Sequence, residues 1–162
     1  MGKKASSELP SCEIKGAGKT SGQVKNRNAL YRHKGDFRWQ GVKDESYKTE
    51  QSGWAGIIRR VLIGAHGESS KFHVRYFEIA RGGCSSLESH RHEHVVICVR
   101  GEGIVRTGNT RRKMGFMDTV YISPDTVHQL INPCEDPFGF LCIVNAKRDK
   151  PKVMSSKEKR RK

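Results

Sequence analysis

The middle of this chain consists of short apolar runs separated by turn residues, with little of the spacing that marks an amphipathic helix. Glycine and asparagine supply the breaks at 64–67, 81–83, 100–103 and 108–109, because both residues accept the positive φ of tight turns. The runs are Ile57–Ile63, Phe72–Ala80, Val95–Arg100, Gly103–Thr107, Asp118–Ile122 and Phe138–Val144. This pattern of short apolar runs and turns predicts an all-β sandwich or barrel. At 162 residues without an internal repeat, one domain is expected.

The positive charge of the chain, formally +14, lies mainly at its two ends, and the middle is close to neutral. A groove that follows nucleic-acid phosphates would instead concentrate this charge in the folded domain. We therefore predict a flexible basic arm over residues 1–36, a barrel over 37–151 and a basic tail over 152–162. Nucleic acid is expected only as a contact of these basic ends.

The cysteines and the hydropathy of the chain bear on its compartment. There are five cysteines, an odd number, with no C-x-x-C pair and no secretory pattern near Met1. No apolar run approaches the roughly twenty residues of a membrane-spanning helix. These features predict a soluble cytoplasmic protein with reduced thiols and no membrane partner.

Three of the seven histidines fall within the short segment Glu88-Ser89-His90-Arg91-His92-Glu93-His94. In an extended strand, side chains at alternate positions project to one face, which would gather one carboxylate and three imidazoles. Burying these groups is costly unless a divalent cation satisfies their lone pairs. The segment therefore predicts a metal site, and a solvent-facing edge of histidines is the alternative.

The spacing of Glu88, His90, His94 and Gly101 resembles the first motif of the cupin superfamily, G-x5-H-x-H-x3,4-E-x6-G. The chain departs from that motif by placing a glutamate at its first histidine and a histidine at its glutamate. Both substitutes are competent metal ligands, so the exchange keeps the charge balance of the site.

Residues 117–132 resemble the second cupin motif, G-x5-P-x-G-x2-H-x3-N, with His128 at its histidine. Met117, Ser123 and Asp125 stand where that motif has glycine, proline and a second glycine. Aspartate tolerates left-handed backbone, so the turn remains feasible.

The resemblance implies a single cupin domain, a jelly-roll barrel of the double-stranded β-helix type, with one divalent metal. Its ligands would be Glu88, His90, His94 and His128. Manganese is the first expectation for the ion, with iron, nickel, cobalt and zinc as alternatives, because a mixed His/Glu set suits them all. His92 is an alternative ligand or a base beside the ligands, and Gln129 either orients substrate or metal-bound water, or points outward.

Residues 74–83 and 139–151 further resemble a bacterial cupin subgroup that includes the methylsulfurylases of methylthioadenosine salvage, part of methionine salvage. These transferases act on a methylthio-pentulose phosphate and pass its methylthio group to a thiol. The resemblance implies a sugar phosphate as the small-molecule substrate and a thiol co-substrate. The candidate residues are Cys142 and, in reserve, Cys98 as the receiving thiol, and Arg59, Arg60, Arg75 and Arg106 as phosphate anchors. Each cysteine is equally well explained as a packing residue.

Two other functions fit the same features. Cupins with similar ligands host many chemistries, so a dioxygenase or sugar isomerase is one alternative. A non-catalytic ligand-binding barrel that contacts nucleic acid or a partner through its basic ends is the other. A homodimer is the assembly that the resemblance implies.

Overall fold

The computed structural model describes residues 28–46 and 55–154, and these residues form strands and no helix. The strands are β1 (Glu45–Ser46), β2 (Ala55–Ile63), β3 (Phe72–Cys84), β4 (Glu88–Ser89), β5 (His94–Arg100), β6 (Gly103–Thr107), β7 (Thr110–Met114), β8 (Thr119–Ile122), β9 (His128–Ile131), β10 (Phe138–Asn145) and β11 (Lys152–Val153). The prediction of an all-β chain is confirmed. Over the same two ranges, nothing has the length and apolarity of a membrane-crossing helix.

All of these strands join one antiparallel sheet that curls into a nearly closed barrel. The main path of the sheet runs β11-β4-β9-β3-β10-β5-β8. From this path, β2 and β1 continue beyond β3, and the β6–β7 hairpin attaches to β9. Because β3, β10 and β5 lie side by side, their inward-facing side chains are neighbours.

Strand alternation in β10 shows how the sequence divides between the core and the outer surface. Phe138, Phe140, Cys142 and Val144 are buried at every second position, whereas Ile143 between them is only half-buried. This period of two is what one inward face of a strand requires. The core of the barrel contains Ile57, Phe77, Ile79, Val96, Cys98, Val105, Met114, Ile122, Leu130, Phe138, Phe140, Cys142 and Val144.

The structure describes the last part of the predicted arm, residues 28–36, together with the start of the predicted barrel. Residues 28–46, which we call the N-terminal strap, cover the outside of β3. Phe37 stacks on Tyr76 with ring centroids 5.3 Å apart, and Trp39 lies 5.4 Å from the same ring. The neighbours of Tyr76 on β3 face the interior of the barrel, so Tyr76 lies on the outer face of the strand. The two rings of the N-terminal strap bury it fully there. The rest of the predicted arm and most of the predicted tail lie outside the described residues.

A carboxylate also ties the N-terminal strap to the barrel. Burial by itself would raise the pKa of Glu68, but hydrogen bonds outweigh that effect and lower the pKa to about 2. The donors are the hydroxyl of Tyr31 at 2.6 Å and the backbone N–H groups of His66 and Gly64 at 2.9 and 3.1 Å. Because the folded pKa lies below the ordinary 4.5, this carboxylate stabilises the fold above pH 4.5. The stabilisation is lost as the pH falls from 4.5 towards 2.

We expect Tyr31→Phe to lower the free energy of unfolding by about 1 kcal/mol at pH 7, because it removes a hydrogen bond to an ionised group. The difference from wild type should shrink at pH 2.5, where Glu68 approaches its pKa and the ionised acceptor is being lost. Urea unfolding of both proteins at the two pH values measures it. Tyr121→Phe is the matched control, since the Tyr121 side chain is exposed; it should change stability by less than about 0.5 kcal/mol.

The glycines at 81–83 do not end a strand, so the expected break there is wrong. Gly82 adopts a φ of 69° inside β3, and the strand continues to Cys84. The N–H of Gly82 donates to the carbonyl of Asn132 at 2.9 Å, and the N–H of Asn132 donates to Gly83 at 2.9 Å. The strand therefore changes its partner at this point. The turn expected at 100–103 is confirmed, with Gly101 at a φ of 59° between β5 and β6.

Strand β7 was not predicted from the sequence because it is almost entirely polar. Arg111, Arg112 and Lys113 are all exposed on it. Within the described part of the chain, β7 pairs only with β6, so its other side is a sheet edge.

Candidate metal centre

Three histidines from different parts of the sheet meet inside the barrel. His90 follows β4, His94 begins β5 and His128 begins β9. Antiparallel pairing places Glu88 of β4 opposite His128, which brings the loop after β4 beside the start of β9. One ring nitrogen from each histidine lies within 4.8 Å of those of the other two. The three imidazoles are close enough to share one cation.

Backbone carbonyls fix the orientation of two of these rings. The Nδ1–H of His90 donates to the carbonyl of His92 at 2.7 Å, and the Nδ1–H of His128 donates to the carbonyl of Thr126 at 2.8 Å. A ring that is protonated at Nδ1 and neutral keeps the lone pair at Nε2. The Nε2 atoms of His90 and His94 lie 2.6 Å apart. Metal-binding imidazoles are held in this way by a partner on the second nitrogen.

The surroundings of the site lower the pKa of all three rings and so favour their uncharged form. Burial lowers the pKa of His90 to about 4, with further lowering by His92 and His128. Burial, followed by repulsion from His128 and His90, lowers the pKa of His94 to about 2. The pKa of His128 is also lowered, mainly by burial. Neutral imidazoles are the form that binds metals, and three histidine ligands hold the ion in some known zinc sites. The donor set therefore fits a divalent ion.

Glu88, the fourth predicted ligand, lies in the wall of the same cavity. It is buried and accepts a hydrogen bond from the hydroxyl of Ser86. Its carboxylate does not belong to the cluster of ring nitrogens within 4.8 Å of one another. Direct ligation by Glu88 stays a prediction.

The extended strand expected through residues 88–94 is interrupted by a bend at residues 91–92. As a result His92 does not join the nitrogen cluster, although it is buried and lines the cavity. Its ring stacks on that of His90 at 3.6 Å, and its Nδ1 lies 2.8 Å from a carboxylate oxygen of Asp149. Gln129 does not line the cavity, and its amide donates to the carbonyl of Ser85 at 2.8 Å.

The two candidate thiols occupy different environments. Cys142 lines the cavity, and its sulfur lies 3.4 Å from Nη2 of Arg75 and 3.4 Å from Nδ1 of His94. Burial raises the pKa of the Cys142 thiol, and the charge of Arg75 opposes that rise. Cys98 is fully buried outside the cavity lining, with its sulfur 3.5 Å from the carbonyl oxygen of Gly101. Of the two thiols, Cys142 is the one that a ligand in the cavity would meet.

The arginines predicted as phosphate anchors also differ in their position relative to the cavity. Arg59 and Arg75 line the cavity, whereas Arg60 and Arg106 do not. Arg60 pairs with Asp44 at 2.6 Å, and Nε of Arg106 donates to a backbone carbonyl. Arg75 is buried, and its Nε has no hydrogen-bond partner among the described residues.

Among the cavity-lining residues that sequence reasoning missed are Arg148, Asp149 and Pro151. All of them follow the last strand of the core, where composition suggests only a connection to the tail. The one signal available was their inclusion in the segment 139–151 that resembles the methylsulfurylase subgroup.

In residues 117–132 the backbone has the conformation that the glycines of the second cupin motif would require. Met117 and Asp125 stand at the glycine positions of the motif, and both adopt positive φ, 68° and 60° respectively. Non-glycine residues rarely take this conformation. The alignment of residues 117–132 with the motif, and hence of His128 with its histidine, is supported by this geometry.

Comparisons with known proteins agree with this architecture. The family model for the cupin domain matches residues 75–144. A 1-methylthio-D-xylulose 5-phosphate methylsulfurylase of Rhodospirillum rubrum is 38% identical over 118 residues, which are 72% of this chain and 74% of that protein.

Solved structures give the same result. A cupin-2 domain protein of Rhodospirillum rubrum superposes with a TM-score of 0.71 at 33% identity, covering 80% of this chain and 86% of that one. A cupin 2 conserved barrel protein of Rhodopseudomonas palustris superposes with a TM-score of 0.74 at 35% identity, covering 80% and 89%.

Proposed function

This chain belongs to the cupin family, and from that premise we propose that it is a metal-dependent enzyme acting on a small polar metabolite. The observation that carries the proposal is the placement of a thiol against a metal-binding cluster in one cavity. Nδ1 of His94 lies 3.4 Å from the sulfur of Cys142, while Nε2 of the same ring faces His90. A substrate in this cavity would meet a Lewis acid and a nucleophile together.

The reaction we propose is transfer of the methylthio group of a methylthio-pentulose phosphate to a thiol. Support comes from the name of the Rhodospirillum rubrum relative and from the chemistry of the cavity. A divalent cation at the histidines, which we take to be manganese, would polarise the substrate carbonyl. We propose that the arginines lining the cavity, Arg59, Arg75 and Arg148, hold the phosphate, with Arg59 also paired to Glu45.

Cys142 has a defined part in this reaction. Its thiolate attacks the methylthio sulfur, so that a sulfur–sulfur bond forms while the bond from sulfur to C1 breaks. The electron pair of that bond passes to C1, next to the carbonyl, and C1 takes up a proton that balances the one lost by the thiol. Cysteine is oxidised to a mixed disulfide and the carbon is reduced to a methyl group. The thiol co-substrate then exchanges with the disulfide and regenerates Cys142.

Two neighbours can stabilise the thiolate that this step requires. Nη2 of Arg75 donates to the sulfur, and His94 can donate from Nδ1 once its Nε2 is unprotonated. Both contacts favour the charged sulfur, against the burial that disfavours it. Arg75 would thus stabilise the Cys142 thiolate in addition to helping to hold the phosphate.

The test is turnover of methylthioxylulose phosphate with glutathione by manganese-loaded and metal-free protein. We expect deoxyxylulose phosphate and a mixed methyl disulfide in the metal-loaded sample, at least about tenfold faster than without metal. Mass spectrometry identifies both products. Equally poor turnover with and without metal would contradict the reaction, and oxygen uptake with candidate diols or diketones would favour a dioxygenase instead.

We also propose that the protein is a cytoplasmic homodimer. The four cysteines among the described residues are free, as a reducing compartment permits. Phe116, Met117 and Tyr121 are exposed at and beside β8, an edge of the sheet. This is the apolar surface that a second subunit would cover.

A further inference from the structure

The end of the described chain folds back over the candidate metal centre. We call residues 146–154 the C-terminal strap. At its start the N–H of Ala146 donates to the carbonyl of Lys71 at 2.9 Å, and at its end the N–H of Met154 donates to the carbonyl of Leu87 at 2.9 Å. Between these points β11 pairs with β4, and Val153 lies opposite Glu88. The C-terminal strap is therefore hydrogen-bonded to the barrel at both ends. Its β11 end lies beside Glu88, two residues before His90.

Asp149, in the middle of the C-terminal strap, binds the loop between the first two histidines of the cluster. One carboxylate oxygen accepts the N–H of Arg91 at 2.9 Å. The other accepts the N–H of His92 at 3.2 Å and lies 2.8 Å from Nδ1 of the same residue. Both oxygens are thus used, and all three donors belong to two consecutive residues. The carboxylate acts as a cap for the bend that interrupts the strand at this point.

The same bend determines how the His90 ring is held. The carbonyl of His92 accepts the Nδ1–H of His90 at 2.7 Å, and the two rings stack at 3.6 Å with planes only 4° apart. A shift of His92 would remove both the hydrogen bond and the stacking surface. Contacts therefore run without a gap from Asp149 through His92 to His90.

We propose that Asp149 is a positioning residue of the metal centre, and that the C-terminal strap is needed to hold His90 in its metal-binding orientation. The proposal rests on the metal-binding role of His90, His94 and His128, but on no particular substrate. Arg148 and Pro151 of the same strap line the cavity, so the segment that holds the ligand loop also forms part of the substrate wall. Partners that orient a metal-bound histidine typically contribute 10-fold to 100-fold to metal affinity.

The first test is titration of metal-free protein with cobalt(II), followed by calorimetry and by the visible spectrum of the bound ion. We expect Asp149→Ala to weaken cobalt binding by about 10-fold to 100-fold and to change the spectrum, because His90 is no longer held. The cobalt affinity of Asp149→Asn should lie between those of wild type and Asp149→Ala, since its amide oxygen can still accept a backbone N–H. Glu135→Ala is the control, because Glu135 is an exposed partner of Arg81 outside the cavity lining.

The outcomes separate this proposal from the proposed function. Unchanged affinity and an unchanged spectrum in Asp149→Ala would overturn the role of Asp149 alone. A wild type that binds no cobalt would overturn the metal centre as well. If thermal unfolding shows that Asp149→Ala is not folded, Asp149→Asn decides the matter by the same two readouts.

Linkage gives a second test that needs no substrate. If packing of the C-terminal strap on the barrel strengthens metal binding, bound metal must stabilise the packed strap by the same free energy. Trypsin can cut after Lys147 and after Arg148, whereas Pro151 blocks the bond after Lys150. We expect cobalt to slow cleavage after Lys147 and Arg148 about tenfold or more in wild type, and far less in Asp149→Ala. Mass spectrometry resolves these cuts, and equal protection in both proteins would overturn the coupling.

Discussion

Alanine in place of His94 or His128 is expected to leave the protein without stoichiometric metal. Each change removes one of three neutral imidazoles whose ring nitrogens lie within 4.8 Å of one another. Altering an outer partner of a metal-bound histidine already costs 10-fold to 100-fold in affinity, so loss of a ligand should cost more than about 100-fold. Elemental analysis of freshly purified protein, with cobalt titration for the dissociation constant, measures the effect.

His33→Ala is the matched control, because His33 is exposed on the N-terminal strap and lies outside the cavity lining. It should retain the metal content and the affinity of wild type. Near-stoichiometric metal in both His94→Ala and His128→Ala would show that the histidine cluster is not the site. A folded wild type without metal would instead favour a ligand-binding barrel.

Serine in place of Cys142 is expected to abolish the proposed methylthio transfer and to leave the affinity for metal unchanged. A hydroxyl at this position can keep a hydrogen bond to His94, but it cannot form the mixed disulfide on which transfer depends. Removal of a covalent nucleophile from other enzymes costs far more than a thousandfold in kcat, and we expect a loss of at least about a thousandfold. Single-turnover assays of the metal-loaded variant, with metal content measured on the same sample, test this.

Cys98→Ala provides the comparison for Cys142. Cys98 is fully buried and is absent from the cavity wall, so its replacement should reduce stability modestly while kcat stays within about threefold of wild type. If Cys142→Ser turned over normally, the thiol would have no covalent role, and direct attack by the co-substrate thiol would replace the mechanism proposed above.

Much of the barrel could be predicted because its inner strands are short runs rich in apolar residues and bounded by turn residues. Phe138–Val144 and Gly103–Thr107 agree with β10 and β6 to within one residue. The polar strand β7 gave no such signal, since neither of its faces is largely buried. The short β9 was also missed, because its first two residues, His128 and Gln129, are polar and it contributes only Leu130 to the hydrophobic core. Apolar periodicity identifies strands that build the core, but not strands that depend mainly on backbone pairing.

The histidine cluster was predictable for a different reason. His90 and His94 are close in sequence, and the resemblance of residues 117–132 to the second cupin motif added His128 to them. The position of His92 was not predictable, because strand alternation assumes an unbroken strand and the loop bends there. The contact with Asp149 spans 57 residues and depends on how β11 returns to β4, which no local pattern encodes.

The edge formed by β7 has a consequence for how copies of this protein can associate. A second β7 laid antiparallel along the first would place Arg111, Arg112 and Lys113 against the same three cations. Like charges directly opposite each other on paired strands are destabilising, and charged side chains are a common protection of free sheet edges. This edge is thereby closed to strand-by-strand growth into larger assemblies. The two subunits of a homodimer would have to meet through another surface.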